Sequence, residues 1–237
     1  MTSTHYILQI ETATQVCSVA LSANGETVAF IDLDEPNVHA SRLTLLVTEL
    51  LQKTGLSFGN LSAVAVSKGP GSYTGLRIGV STAKGLCYAA DLPLIGIDTL
   101  EGMTAGFIAN YSPIAGNAKL CPMVDARRME VFTAVYDGQL QPISSPAAAI
   151  IDAQSFGYLD AGQRIILFGS GADKLDALFV ANEQVEVVAG FRNSAAHFSL
   201  PAYQAFLAEE FADVAYFEPY YLKDFVATTP KKAGRSS

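Results

Sequence analysis

The residues best equipped for chemistry begin with the run Gly69-Pro70-Gly71-Ser72-Tyr73-Thr74-Gly75-Leu76-Arg77. Glycines at 69 and 71 admit backbone angles closed to other residues, and Pro70 stiffens the turn. Ser72 and Thr74 are good helix caps, and the free amides of a helix start attract anions. The run serves either as a structural turn or as a phosphate cradle. It is not a P-loop, because no Gly-Lys-Ser/Thr closes it, and Thr74 stands where a dinucleotide fingerprint needs its third glycine. Two acidic residues, Glu11 and Asp125, each end an apolar segment. Such carboxylates can hold a cation or simply bond the amides of the turn that follows. The three histidines, His5, His39 and His197, have no second histidine or carboxylate at metal-ligand spacing, and no G-x-S-x-G elbow occurs.

The elements that carry these groups come in two similar halves. Tyr6–Glu11, Cys17–Ser22 and Thr27–Asp34 read as strands, with Asn24-Gly25 as a hairpin turn. A helix over about Ala40–Lys53 stops at Gly55. Ala63–Ser67 is a buried strand that runs into the glycine loop and a helix to about Ala90; strand Pro93–Ile97 and helix Leu100–Asn110 follow. The pattern then restarts. Leu120–Asp125 is an apolar strand, Glu130–Tyr136 a second, and Asp137-Gly138 a hairpin signal. Ile165–Phe168 again enters a glycine loop, Gly169-Ser170-Gly171, and helical patterns lie near Asp173–Phe179 and Ala195–Phe211. The segments QIETATQVCSVALSANG and MVDARRMEVFTAVYDG share one plan: strand, acid, polar turn, alternating strand, glycine hairpin. A degenerate duplication of strand-meander-plus-helix units predicts an α/β fold of the two-lobed actin/Hsp70/sugar-kinase type. The expected lobes are residues 1–115 and a reduced second lobe, 116–237, whose last helix packs back on the first. Kinases of this fold place cleft carboxylates where Glu11 and Asp125 fall.

Two helices carry apolar or small residues beyond the ordinary pattern. Leu43, Leu45, Leu46, Val47, Leu50 and Leu51 cover more of the first helix than one sheet-facing stripe needs, so a second apolar face toward a partner is expected. Gly75, Gly79, Ala83 and Cys87 form a small-residue stripe on the next helix, which suits either core packing or a docking groove.

Composition narrows the function. Half of the 237 residues are hydrophobic and 16% are charged, enough to bury a large core. The net charge of −8, with a basic cluster only at Lys231, Lys232 and Arg235, argues against tight autonomous binding to nucleic acid. Cys17, Cys87 and Cys121 sit in apolar segments without a CxxC pair, which fits a reducing cytoplasm. No apolar run is long enough to cross a bilayer and no secretory signal is evident.

The chain resembles the TsaB (YeaZ) family. The resemblance is carried by Glu11-Thr12-Ala13-Thr14, His39–Leu43, Gly69–Arg77, Gly96–Leu100, Asp125–Val131 and Glu218-Pro219-Tyr220-Tyr221-Leu222. It covers residues 7 to about 222, and Gly69–Arg77 is its most specific string. Two departures are Glu11, where the family usually has aspartate, and Asp98, where serine is common. The resemblance implies a non-catalytic subunit that binds and activates TsaD, the related enzyme that transfers a threonylcarbamoyl group to adenosine 37 of tRNA. TsaD holds its metal partly with an HxxxH helix. Here the helix starts at His39 and has Leu43 four residues on, so no metal pair is expected. The implied partner surface is His39, Arg42, Leu43, Leu46, Val47 and Leu50 with Gly75, Gly79, Ala83 and Cys87, and a bulky residue at Ala83 should block it. Glu11, Thr12, Gly69, Gly71, Ser72, Thr74 and Asp125 would form a vestigial nucleotide or anion site. The further implications are the ATPase TsaE as a second partner, tRNA contact only through the complex, a homodimer when TsaD is absent, and a cytoplasmic location. No tightly bound cofactor is expected, and ATP or ADP only in the assembled complex. A small kinase of the same fold would need a second phosphate loop, and a glycoprotease-like peptidase would need metal ligands or a nucleophile elbow.

Overall fold

The computed structural model describes residues 4–111, 114 and 116–223; the basic residues Lys231, Lys232 and Arg235 lie outside them. The first half builds β1 (Tyr6–Glu11), β2 (Cys17–Ala23), β3 (Glu26–Leu33), α1 (His39–Thr54), β4 (Leu61–Gly69), α2 (Tyr73–Ala90), β5 (Leu94–Asp98) and α3 (Thr99–Tyr111). Its sheet runs β3-β2-β1-β4-β5. The first three strands pair antiparallel, and β4 and β5 join parallel to β1. The β2–β3 connection uses Asn24 and Gly25 at φ 51° and 87°, the left-handed pair that a two-residue hairpin requires.

The second half repeats the plan with β6 (Lys119–Asp125), β7 (Glu130–Thr133), β8 (Ala147–Ile150), β9 (Ile165–Phe168), α4 (Asp176–Phe179) and β10 (Val185–Val188). The order β10-β9-β6-β7-β8, antiparallel across β6, β7 and β8 and parallel across β6, β9 and β10, matches the first sheet strand for strand. The second copy is reduced. Turns replace the helix before β9, and the four-residue α4 replaces α2. Two strands were not legible in the sequence. β8 is three alanines and an isoleucine, and β10 is four residues long, so neither shows a periodicity. The expected strand through Tyr136 ends at Thr133. Tyr136 then forms an isolated bridge in which it and Leu120 exchange two 2.8 Å backbone bonds.

After β10 the chain returns to the first lobe. A 3-10 turn, Ala195–Phe198, leads into α5 (Ser199–Leu207), shorter than the pattern to Phe211 suggested. Phe198 and Ala202 complete a core with Ile7, Ala63, Ala65, Ile95 and Ile97, while α1 and α2 cover the opposite face of the same sheet. Helix α3 divides the lobes. Leu100, Met103 and Phe107 face the core of the second lobe, and Gly102 and Gly106 lie so close to Phe198 and His197 that a Cβ at either would collide.

The partner surface expected on α1 and α2 needs correction. Leu43, Leu46, Val47, Leu50 and Leu51 recur at helical spacing as one stripe and are all buried against the sheet, with His39. Each such leucine stabilises the fold by about 1.5–3 kcal/mol, so the stripe is core. Gly75, Gly79, Ala83 and Cys87 are likewise buried inside the chain. Of the ten residues expected at a partner surface only Arg42 is exposed. The outward apolar side chains are Leu45 on α1 and Tyr88 on α2.

Candidate functional site

The glycine loop ends β4 and starts α2. Ser72 is its N-cap, its Oγ accepting the Gly75 amide at 3.2 Å, while Thr74 is exposed and does not cap. The Ser72 amide donates to the Ala13 carbonyl at 2.7 Å, and the Leu76 amide to the Ser72 carbonyl at 2.8 Å. A Cβ at Gly71 would strike Ala13, at Gly75 the carbonyl of Thr12, and at Gly79 the hydroxyl of Thr12. The stripe therefore exists so that the start of α2 can press on the turn after β1. Of the two readings of the loop these contacts fit the structural turn: the Ser72, Gly75 and Leu76 amides bond the protein itself, and Gly69 is buried under the carbonyl of Tyr220.

Glu11 and Thr12, the inner members of the expected nucleotide site, are fully buried. Glu11 accepts the Ala13 amide through Oε1, and its Oε2 has no partner among the described residues. Burial drives its carboxyl up to about 8, against the opposing pull of the Ala13 amide, the Ser67 hydroxyl and the Thr12 amide. At neutral pH the group is mostly protonated. Asp125 occupies the matching place in the second lobe. It accepts the amide two residues on, Arg127 at 3.0 Å, just as Glu11 accepts that of Ala13. Asp125 is half-exposed and paired with Lys174, and its amide donates to Ser170 Oγ at 3.2 Å. The duplication thus kept the turn geometry and discarded a shared charge pattern. Asp98 caps α3, accepting the Leu100 and Glu101 amides at 2.9 and 3.2 Å.

A groove of about 910 Å³ opens elsewhere, between β3, α3, the start of α5 and residues 138–141; neither Glu11 nor the glycine loop lines it. His197 does, and burial lowers its pKa to about 4, so its ring is neutral. Among the described residues no three His, Cys, Asp or Glu side chains cluster as metal ligands, and no helix is long and apolar enough to cross a membrane.

Two mixed sheets of identical strand order, built from one chain with a dividing helix, define the duplicated two-lobed α/β class to which actin, Hsp70 and sugar kinases belong. Residues 36–230 match the family described as TsaD, tRNA N6-adenosine threonylcarbamoyltransferase. The chain is 33% identical over 224 residues to the tRNA threonylcarbamoyladenosine biosynthesis protein TsaB of Bacillus subtilis, covering 92% of this chain and 93% of that one. It is 40% identical to the protein of the same name from Escherichia coli over 130 residues, 55% of this chain and 54% of that protein. With the Haemophilus influenzae relative the match spans 51% of that protein, so these two alignments cover about half of the relatives' length. A crystal structure from Pseudomonas aeruginosa, described as similar to the peptidase YeaZ, superposes with a TM-score of 0.77 at 25% identity, covering 94% of this chain and all of that one. The chain belongs to the TsaB family.

Sequence reasoning missed Leu45 and Tyr88 as the exposed apolar positions, because alternation on a helix shows which residues are apolar and not which of them the sheet reaches. It also missed that the Tyr220-Tyr221 segment lies on the glycine loop.

Proposed function

We propose that this chain is a non-catalytic subunit in the synthesis of threonylcarbamoyladenosine in tRNA, and that it acts by binding a TsaD-type transferase. The observation that carries this is the near full-length likeness to a TsaB of that pathway, in a chain whose Glu11 carboxyl is buried and largely neutral. With Glu11 buried and neutral and Asp125 tied to Lys174, the proposed contribution is through the surface. The outer faces of α1 and α2 look away from the same side of the first sheet and carry Leu45, Tyr88 and Arg42, which are exposed. They supply a surface of aromatic, aliphatic and arginine side chains of the kind enriched at protein interfaces. In this proposal TsaE joins the assembled pair, nucleotide enters only there, and the same faces pair two copies of the chain when TsaD is absent.

The test is titration calorimetry with TsaD from the same organism. Leu45→Glu and Tyr88→Glu should each weaken binding by about thirtyfold or more while leaving the melting temperature within a degree or so. Undiminished binding by both folded variants would place the interface elsewhere. Failure of the unmodified protein to bind TsaD would remove the proposal itself.

A further inference from the structure

The described chain ends in a segment with no long helix or strand, yet it touches both lobes in sequence. Ala212 donates its amide to Leu94 at 2.8 Å on the edge of β5, and Ala212, Val214 and Phe217 lie against the core of the first lobe. Lys84 on α2 holds the carbonyls of Ala215 and Phe217, each at 3.1 Å. The Tyr220 amide then donates to the Lys68 carbonyl at 2.6 Å. The Tyr221 ring lies 4.8 Å from that of Tyr73, and its hydroxyl accepts from Arg77 Nε at 3.2 Å. Leu222 packs on the core that α3 shares with the second lobe, and Lys223 pairs with Glu130 at the start of β7.

We propose that Ala212–Lys223 is a clasp that crosses from one lobe to the other over the glycine loop, shielding the loop and holding the lobes together. Without the clasp the lobes are joined by α3, whose Leu100, Met103 and Phe107 sit in the second core, by Arg192, which pairs with Asp34 on one side and Asp173 on the other, and by the chain connections after α3 and β10. Opening the side of the lobe junction that carries the glycine loop requires, besides any movement of α3, either Leu222 to leave its core or the Phe217–Tyr221 stretch to peel from α2 and β5. The holding contacts are few, mostly half-exposed, and include one solvent-accessible ion pair, the kind of contact that opens locally well below the cost of global unfolding. The clasp is therefore releasable while each lobe keeps its own core.

Hydrogen-exchange mass spectrometry on the full chain tests this. The first perturbation works from outside the clasp. Gly96→Val places a Cβ where the Phe217 ring lies only 2.7 Å away, in a strand that favours β-branched residues. Leu222→Ser removes the anchor on the second lobe. Either variant should speed exchange about tenfold or more in peptides covering residues 66–76 and, in parallel, 125–133, with α1 and β2 unchanged. Acceleration confined to residues 212–223 would overturn the clasp, as would exchange of that segment at free-peptide rates in the unmodified protein. If Leu222→Ser lowers protection in every peptide alike, the segment is ordinary core and the proposal fails.

Discussion

Replacing Glu11 with glutamine should make the protein more stable in alkaline solution. Glu11 is fully buried, and desolvation holds its carboxyl near 8 against an ordinary value of 4.5. The folded state therefore binds this proton more tightly than the unfolded state does. The resulting stabilisation is complete below pH 4.5, declines as pH rises through the window up to about 8, and is lost above it. A displacement of that size corresponds to at most about 5 kcal/mol across the window. Glutamine stays neutral throughout. Its Oε1 can keep the Ala13 amide bond, and its NH2 meets the same lack of partners as the acid's hydroxyl, since Oε2 has none among the described residues. The variant should lose about 1–2 kcal/mol at pH 5 through that second unbonded hydrogen, overtake the parent between about pH 6 and 6.5, and lead it by about 1.5–2.5 kcal/mol at pH 8. His197 contributes with the opposite sign. Its pKa is lowered by burial from 6.5 to about 4, so its contribution is present above 6.5 and lost as pH falls through 4. Both proteins share that term, and the difference between their curves isolates Glu11. Urea titrations from pH 5 to 9, compared at constant m-value, provide the measurement. Parallel curves for the two proteins would refute a buried, proton-holding Glu11.

Two further outcomes follow from the packing and the charge. Gly79→Val, which drives a side chain into Thr12, should destabilise the protein by about 1–3 kcal/mol or more in urea, and Ala83→Trp should do the same, because Ala83 is core and not a docking position; unchanged midpoints would show that α2 has room to shift. The isolated chain, at net charge −8, should retain tRNA only with micromolar or weaker affinity, about the level of non-specific binding, in a filter assay at near-physiological salt; submicromolar retention would point to a binding face that the charge distribution hides.

The duplication was legible in the order of residues alone. Hydrophobic alternation, the Asn24-Gly25 turn and the return of an acid after each first strand are local signals, and they constrain the strand order because each half must bury the same pattern. Leucines and small residues at helical spacing likewise marked α1 and α2 as important. What stayed open was direction. Leu43 and Leu45 are the same residue type two positions apart, yet one is buried and the other exposed, because only the sheet beneath α1 decides which arc of the helix is covered. The glycine loop was equally ambiguous. Glycines at 71, 75 and 79 permit close approach by a phosphate or by a backbone turn, and the choice fell to the Thr12–Ala13 turn that the fold of β1 and β2 brings beneath them. The charge of Glu11 was undecided for the same reason. A carboxyl written in a sequence is acidic until tertiary packing removes its water, and here the strands and α2 together do so.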